Sequence, residues 1–248
     1  CGLEIDALDA EPLALYRTID RFIRRREDEQ EVHVLIDLGW QRTNVLIGKG
    51  REINFIKPMD IGGRQLHEAV SRRLDISVDE ASALRRRQTE STDPGTPKDP
   101  VRQAVADASR PTMEEIAREV SMCLRYYSVT FRGHRPTKVR LTGGESCDNM
   151  LQNMLNASLT IPVEIGRPLY SVDTSRMKPA DRRGTMCQWL LAFGLSLRRT
   201  SGTFAPRDGT PRDPNSPRPD LCAIAPEVID LGRELFAASS DAPKEPSA

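Results

Sequence analysis

An α/β lobe built on one mixed sheet is the fold this 248-residue sequence predicts, and three observations carry it. Apolar strand runs with short connections crowd residues 32–57, which calls for an antiparallel meander. Beyond them the pattern turns to helices, then strand, helix, strand and helix, and strands entered after such crossovers complete a mixed sheet. The strongest helical stripe, Met113, Ile116, Ala117, Val120, Leu124, Tyr127 and Phe131, supplies a face able to cover that sheet.

Taken in order, residues 12–25 read as an amphipathic helix with Leu15, Tyr16, Ile19, Phe22 and Ile23 on one face. Val32 to Ile36 is a near-continuous apolar run of the kind buried on both faces. Thr43 to Ile47 and Arg51 to Lys57 follow as strands, joined through Gly48-Lys49-Gly50. Gly62-Gly63 breaks the chain before a helix over 64–74, and Ser77 with Glu80 predicts a capping box for a helix ending near Gln88. Residues 89–110, rich in Thr, Ser, Asp and Pro, read as a mobile insert with at most a short helix at 100–108. Thr112 with Glu115 then caps the long helix over 112–132. A strand at 137–142, a helix at 148–159, a strand at 161–165 and a helix at 185–198 complete a ribonuclease-H-like plan, with 62–110 inserted between the third strand and the long helix. Residues 200–248 hold 8 of the 18 prolines and are expected to be mostly disordered, with a short helix over Ala225 to Phe236.

Composition excludes several classes. Lys and Arg total 36, as do Asp and Glu, so no global field draws the chain to nucleic acid or an acidic membrane. Thirty of the cations are Arg, but no aromatic RNA-binding motif accompanies them, and coding composition accounts for the bias. The longest apolar run, Trp189 to Leu197, is far short of the roughly 20 residues a membrane-crossing helix needs. No basic-then-apolar leader opens the chain. The five cysteines show no C-x-x-C spacing and read as reduced thiols of a cytosolic protein. Three scattered histidines offer no metal-ligand spacing. The first residue is Cys, which leads us to expect a fragment.

Two glycine turns carry the chemistry. Asp37-Leu38-Gly39-Trp40-Gln41-Arg42-Thr43-Asn44 lies between the first two strands: Asp37 can hold a metal's hydration shell, Gly39 lets backbone N–H groups approach phosphate oxygens, and the Thr43 hydroxyl can donate to them. Leu141-Thr142-Gly143-Gly144-Glu145 is a strand-to-helix turn whose glycines allow close approach to a ring or phosphate ahead of a helix N-terminus. Gly62-Gly63 with Arg85 one helix later is a third candidate. Each has a plain reading as a turn or a solvated basic face.

As an ordered set, these motifs make the chain similar to the second half of the PilM-type proteins, actin-like components of type IV pilus assembly related to the cell-division protein FtsA. Gly2 to Leu15 resembles the exit from that family's first lobe, Asp37 to Asn44 its second phosphate loop, and Met59 to Leu66 with Ser77 to Ala81 the start of its small subdomain. Leu141 to Glu145 resembles the adenosine loop and Ala192 to Leu197 the closing helix, so the likeness spans residues 1–199. It divides the chain into 1–31, the end of a first lobe with a connecting helix; 32–199, an actin-like ATPase lobe; and the tail. It implies that Asp37, Gly39, Thr43 and Asn44 face the phosphates of ATP, with Mg held at Asp37 through water, and that Gly143, Gly144 and Glu145 line the adenosine. Ser82 and Arg85 stand where relatives place a Glu and a Lys, which leaves Arg85 to stack on adenine; Trp40 adds bulk beside the phosphates. The resemblance implies a cytoplasmic scaffold at the inner membrane, working with a PilN-like membrane protein and other pilus assembly components, in pilus assembly or type II secretion. Without a first lobe the chain is expected to bind ATP weakly and turn it over negligibly. The alternatives are a nucleotide-free interaction module, an FtsA-like division protein, or a phosphotransferase of the sugar or acetate kinase type.

Overall fold

The computed structural model describes residues 9–90, 100–131, 135–176 and 186–199. A five-stranded sheet runs in the order β3-β2-β1-β4-β5. Strands β1 (Val32–Leu38), β2 (Thr43–Lys49) and β3 (Glu52–Met59) pair antiparallel, with Gly50 at φ 55° in the tight turn between β2 and β3. Strand β4 (Val139–Thr142) lies parallel to β1, and β5 (Val163–Ile165) parallel to β4, as the helical crossovers demand. All seven residues of β1 are buried, the mark of a central strand covered on both faces.

Side-chain alternation assigns the layers. Val32, Val34, Ile36 and Leu38 join the larger core with α4 (Pro100–Thr130) and α5 (Asn149–Ser158), through Met113, Ile116, Val120, Leu151 and Leu155. On the opposite face Leu35 and Leu46 pack with Leu15, Tyr16 and Ile19 of α1 (Glu11–Asp20) and Leu190 of α6 (Leu190–Ser196). There α1 and α6 meet so closely that a Cβ on Gly194 would overlap the Ala14 carbonyl oxygen.

Helices α2 (Gly63–Leu74) and α3 (Val78–Glu90) follow the meander, and Val70 and Ala81 close a small cluster with Val105 of α4. The Ser77–Glu80 capping box forms as the sequence predicts: Glu80 N–H donates to Ser77 Oγ at 3.2 Å and Ser77 N–H to Glu80 Oε2 at 2.9 Å.

The 89–110 stretch departs from expectation. Residues 91–99 lie outside the described residues, but α3 extends to Glu90, and one helix of 31 residues starts at Pro100 and runs through Pro111. Thr112 and Glu115 are therefore interior positions, not a cap. Proline 111 removes one backbone donor from the ladder, yet Val105, Ser109 and Met113 are buried on either side of it, and that packing keeps the helix continuous. The expected helix at 185–198 forms as a continuous run of three parts: a 3₁₀ turn over Cys187–Trp189, the short α6, and a second 3₁₀ turn over Leu197–Arg199. The tail beyond 199, with the helix expected at 225–236, lies outside the described residues.

Gly194→Ala is expected to lower stability by about 1–3 kcal/mol, because the added methyl meets backbone and not a flexible side chain. Urea unfolding with no change in midpoint would contradict the described α1–α6 contact.

Candidate functional site

Strand β1 ends where the sheet's connections diverge, and both predicted glycine turns arrive there. Asp37 pairs in register with Thr142 of β4 on one side and Asn44 of β2 on the other. The Thr142 hydroxyl has two acceptors within reach of its one proton, Asp37 Oδ1 at 3.1 Å and the Ile36 carbonyl at 3.2 Å. One residue on, Gly143 adopts φ +96°, and a Cβ there would overlap the backbone of Leu38. A left-handed residue this close to another strand's backbone has to be glycine. Gly144 is the reverse case: it is exposed, and an added Cβ would meet nothing within 4 Å.

The β1–β2 turn is fastened from the meander's far end. Gly63 N–H donates to the Gly39 carbonyl at 2.9 Å and Arg64 N–H to the Trp40 carbonyl at 2.8 Å, so the first turn of α2 caps this loop. Gly62 must be small here, since a Cβ would stand 2.6 Å from the Trp40 oxygen. Trp40 is half exposed and sets its ring edge-on to His67, centroids 5.1 Å apart.

Two polar groups, Asp37 buried and Glu145 half-buried, flank this end of β1 on opposite faces of the sheet. On the α1 side stands Asp37, 8% exposed; burial pushes its carboxyl up to about 6, the Thr142 hydrogen bond pulling the other way and the charge of Glu11 adding to the rise. Asn44 lies beside it and donates to Glu11 Oε1 at 3.3 Å. On the α2 side, Glu145 accepts from His67 Nε2 at 2.9 Å and from Arg85 at 2.7 Å, while the second guanidinium nitrogen of Arg85 donates to Asp148 Oδ2 at 2.8 Å. Burial alone would raise the Glu145 carboxyl, but the His67 hydrogen bond and the Arg85 charge outweigh it and hold the carboxyl below its usual range. Asp148 also caps α5, its Oδ1 accepting from the Met150 and Leu151 N–H groups.

The structure thus brings Asp37, Asn44, Gly39, Gly143 and Gly144 to one end of the sheet. Thr43 reaches the same end but on the other face: it points to the α4 side, fully buried, and its hydroxyl donates to the Ile61 carbonyl at 2.6 Å. Arg85 is 5% exposed and reaches Glu145 and Asp148, 60 and 63 positions away. The sequence reading missed His67, Asp148 and Glu11 as partners; only the capping position of Asp148 left a local signal.

The open surface over Gly144, beside the start of α5, leaves room for a flat ring, and at the β1–β2 turn Gly39 and Asp37 are the groups that could meet phosphates and a hydrated metal. Among the described residues no three His, Cys, Asp or Glu side chains converge as a metal site, so an ion here would draw the rest of its ligands from phosphate and water. A cavity of about 720 Å³ opens over β4 and β5 on the α1 face, lined by Lys138, Arg140, Thr142 and Arg167 among others.

A family model described as type IV pilus assembly protein PilM matches residues 1–200. The chain belongs to the PilM family. Among solved structures, the "PilM-PilN type IV pilus biogenesis complex" is similar at a TM-score of 0.66 and 22% identity, over 79% of this chain and 54% of that one. The ethanolamine utilization protein EutJ from Carboxydothermus hydrogenoformans reaches 0.53 at 18% identity, over 79% of this chain and 56% of EutJ. An MreB of Spiroplasma citri bound to AMPPNP reaches 0.55 at 11% identity, over 82% and 61%. These likenesses show the actin-like fold in this PilM-family chain, which spans about half the length of the structures it first matches. No helix among the described residues is long and apolar enough to cross a membrane.

The folded Asp37 carboxyl titrates at about 6, above its ordinary 3.8, so between those pH values the folded chain keeps a proton that the unfolded chain releases. Its contribution therefore favours the fold at low pH and is lost as pH rises through 6. Asp37→Asn is expected to gain stability over the parent, from near zero at pH 4 to roughly 2–3 kcal/mol at pH 7.5. Asp20, also raised to about 6, cancels in that difference. A urea series showing a pH-independent difference would contradict the assignment.

Proposed function

We propose that this lobe binds ATP with Mg at the convergence of the β1–β2 and β4–α5 turns, as a conformational clamp in a type IV pilus assembly scaffold. The single observation that supports it most is Gly143 packed against Leu38, which puts the two glycine turns side by side at one end of β1. In this reading Gly143, Gly144 and Glu145 line the adenosine, the backbone about Gly39 takes the phosphates, and Asp37 with Asn44 borders the hydrated ion. Arg85 serves the base indirectly, by fixing Glu145 and the cap of α5. Bound Mg would neutralise phosphate charge. Hydrolysis calls for a second phosphate loop and an ordered water facing this lobe, which the described residues do not supply, so we expect them alone to turn ATP over negligibly.

Family membership supports a place in pilus assembly, and the solved PilM–PilN complex supports a PilN-like partner; a position at the cytoplasmic face of the inner membrane belongs to the same proposal. A second reading, an interaction module that takes no nucleotide, is favoured by two engaged groups: the Thr43 hydroxyl bonds Ile61, and Arg85 is committed to Glu145 and Asp148.

Thermal unfolding separates the two. The midpoint should rise by a few degrees with millimolar ATP·Mg, following RT ln(1 + [L]/Kd). Gly144→Asp, which fills open surface with a like charge, should keep the ligand-free midpoint and lose the rise. An unshifted midpoint in the parent would overturn the nucleotide reading and favour the second.

A further inference from the structure

The cysteines look unrelated in the sequence, but the fold brings two together. Cys147 sits half-buried in the turn between β4 and α5; Cys187, 1% exposed, opens the 3₁₀ turn that leads into α6. Their sulfurs stand 3.2 Å apart across 40 positions of sequence. A disulfide needs about 2.05 Å, so closing it asks the sulfurs to approach by only about 1 Å more. The two segments are already joined by a backbone hydrogen bond, Gly143 N–H to the Cys187 carbonyl at 3.3 Å, which holds them in register. The pair also borders the end of β1, for the Cys187 thiol is one of the groups raising the Asp37 carboxyl. Cys123 provides the contrast: it is buried on α4, and burial pushes its thiol up to about 11. A thiol so reluctant to ionise is a poor nucleophile.

We propose that Cys147 and Cys187 form a reversible disulfide by exchange with a small-molecule disulfide of the glutathione type. The Cys147 sulfur, the more exposed, loses its proton and attacks one sulfur of RSSR; the S–S bond breaks and one RSH leaves. The Cys187 sulfur, deprotonated in turn, attacks Cys147 Sγ in the mixed disulfide and releases the second RSH. Two protein thiols are oxidised by two electrons, and one RSSR is reduced to two RSH. The new bond ties the turn carrying Glu145 and Asp148 to the segment that packs on α1. It therefore joins the helix layers on the two faces of the sheet across the candidate site.

The test is a peptide map of the full chain after equilibration in oxidised and reduced glutathione, alkylation and trypsin digestion. The expected product is peptide 141–176 linked to peptide 184–198, two hydrogens lighter than their sum, with Cys123 alkylated. The oxidised chain should melt higher by roughly 5–10 °C, and dithiothreitol should reverse the shift. Cys147→Ser and Cys187→Ser should each remove the link and the shift, and Cys123→Ser neither. Full alkylation of Cys147 and Cys187, a persistent glutathione adduct on Cys147, or links to Cys1 or Cys222 instead would overturn the proposal. The map of the unmutated chain decides the matter even where a serine variant fails to fold.

Discussion

The contact on which this lobe depends is the backbone of Gly143 laid against Leu38. Strand β4 pairs with β1 over four residues, and the chain must then leave the sheet at once to begin α5. A left-handed residue makes that turn, and the absence of a Cβ lets it pass directly over the end of β1. The neighbouring β1–β2 turn is held from the other side by the first N–H groups of α2. Two connections that are distant in sequence thus become the two walls of one crevice, shaped by backbone before any side chain contributes.

Buried charge gives those walls their rigidity. Glu145, Arg85, His67 and Asp148 form a clasp between the α2–α3 pair and the β4–α5 turn, in which each carboxylate is paired. Such a clasp fixes geometry more than it adds net stability, because desolvation of the ions offsets much of their attraction. Asp37 sits across the sheet with a hydroxyl and, among the described residues, no cation as its hydrogen-bond partner, and burial raises its affinity for a proton. One wall is electrostatically satisfied. The other holds a carboxylate that a hydrated cation would stabilise.

What the sequence revealed follows from which forces are local. The apolar strand runs, the Gly50 turn and the Ser77–Glu80 capping box depend on neighbours a few residues apart, and each was legible. The order of crossovers was enough to yield the mixed sheet. The continuity of α4 through Pro111 was not legible, because propensity argues for a break and only the packing of Val105 and Met113 overrules it. The side on which Thr43 falls depends on register: Asp37 stands opposite Asn44, so Thr43 faces the other layer. The partners of Arg85 lie 60 and more positions away, and a single sequence carries no record of such a contact. The exposed basic face that the sequence allows is, at Arg85, a buried clasp.

The most direct measurement of the central claim is a ¹H–¹⁵N correlation titration of the labelled chain with ATP·Mg. If the two turns are walls of one nucleotide crevice, amide resonances of residues 37–43 and 143–146 shift together and fit one dissociation constant. Shifts confined to one turn, or two turns titrating with different constants, would contradict it.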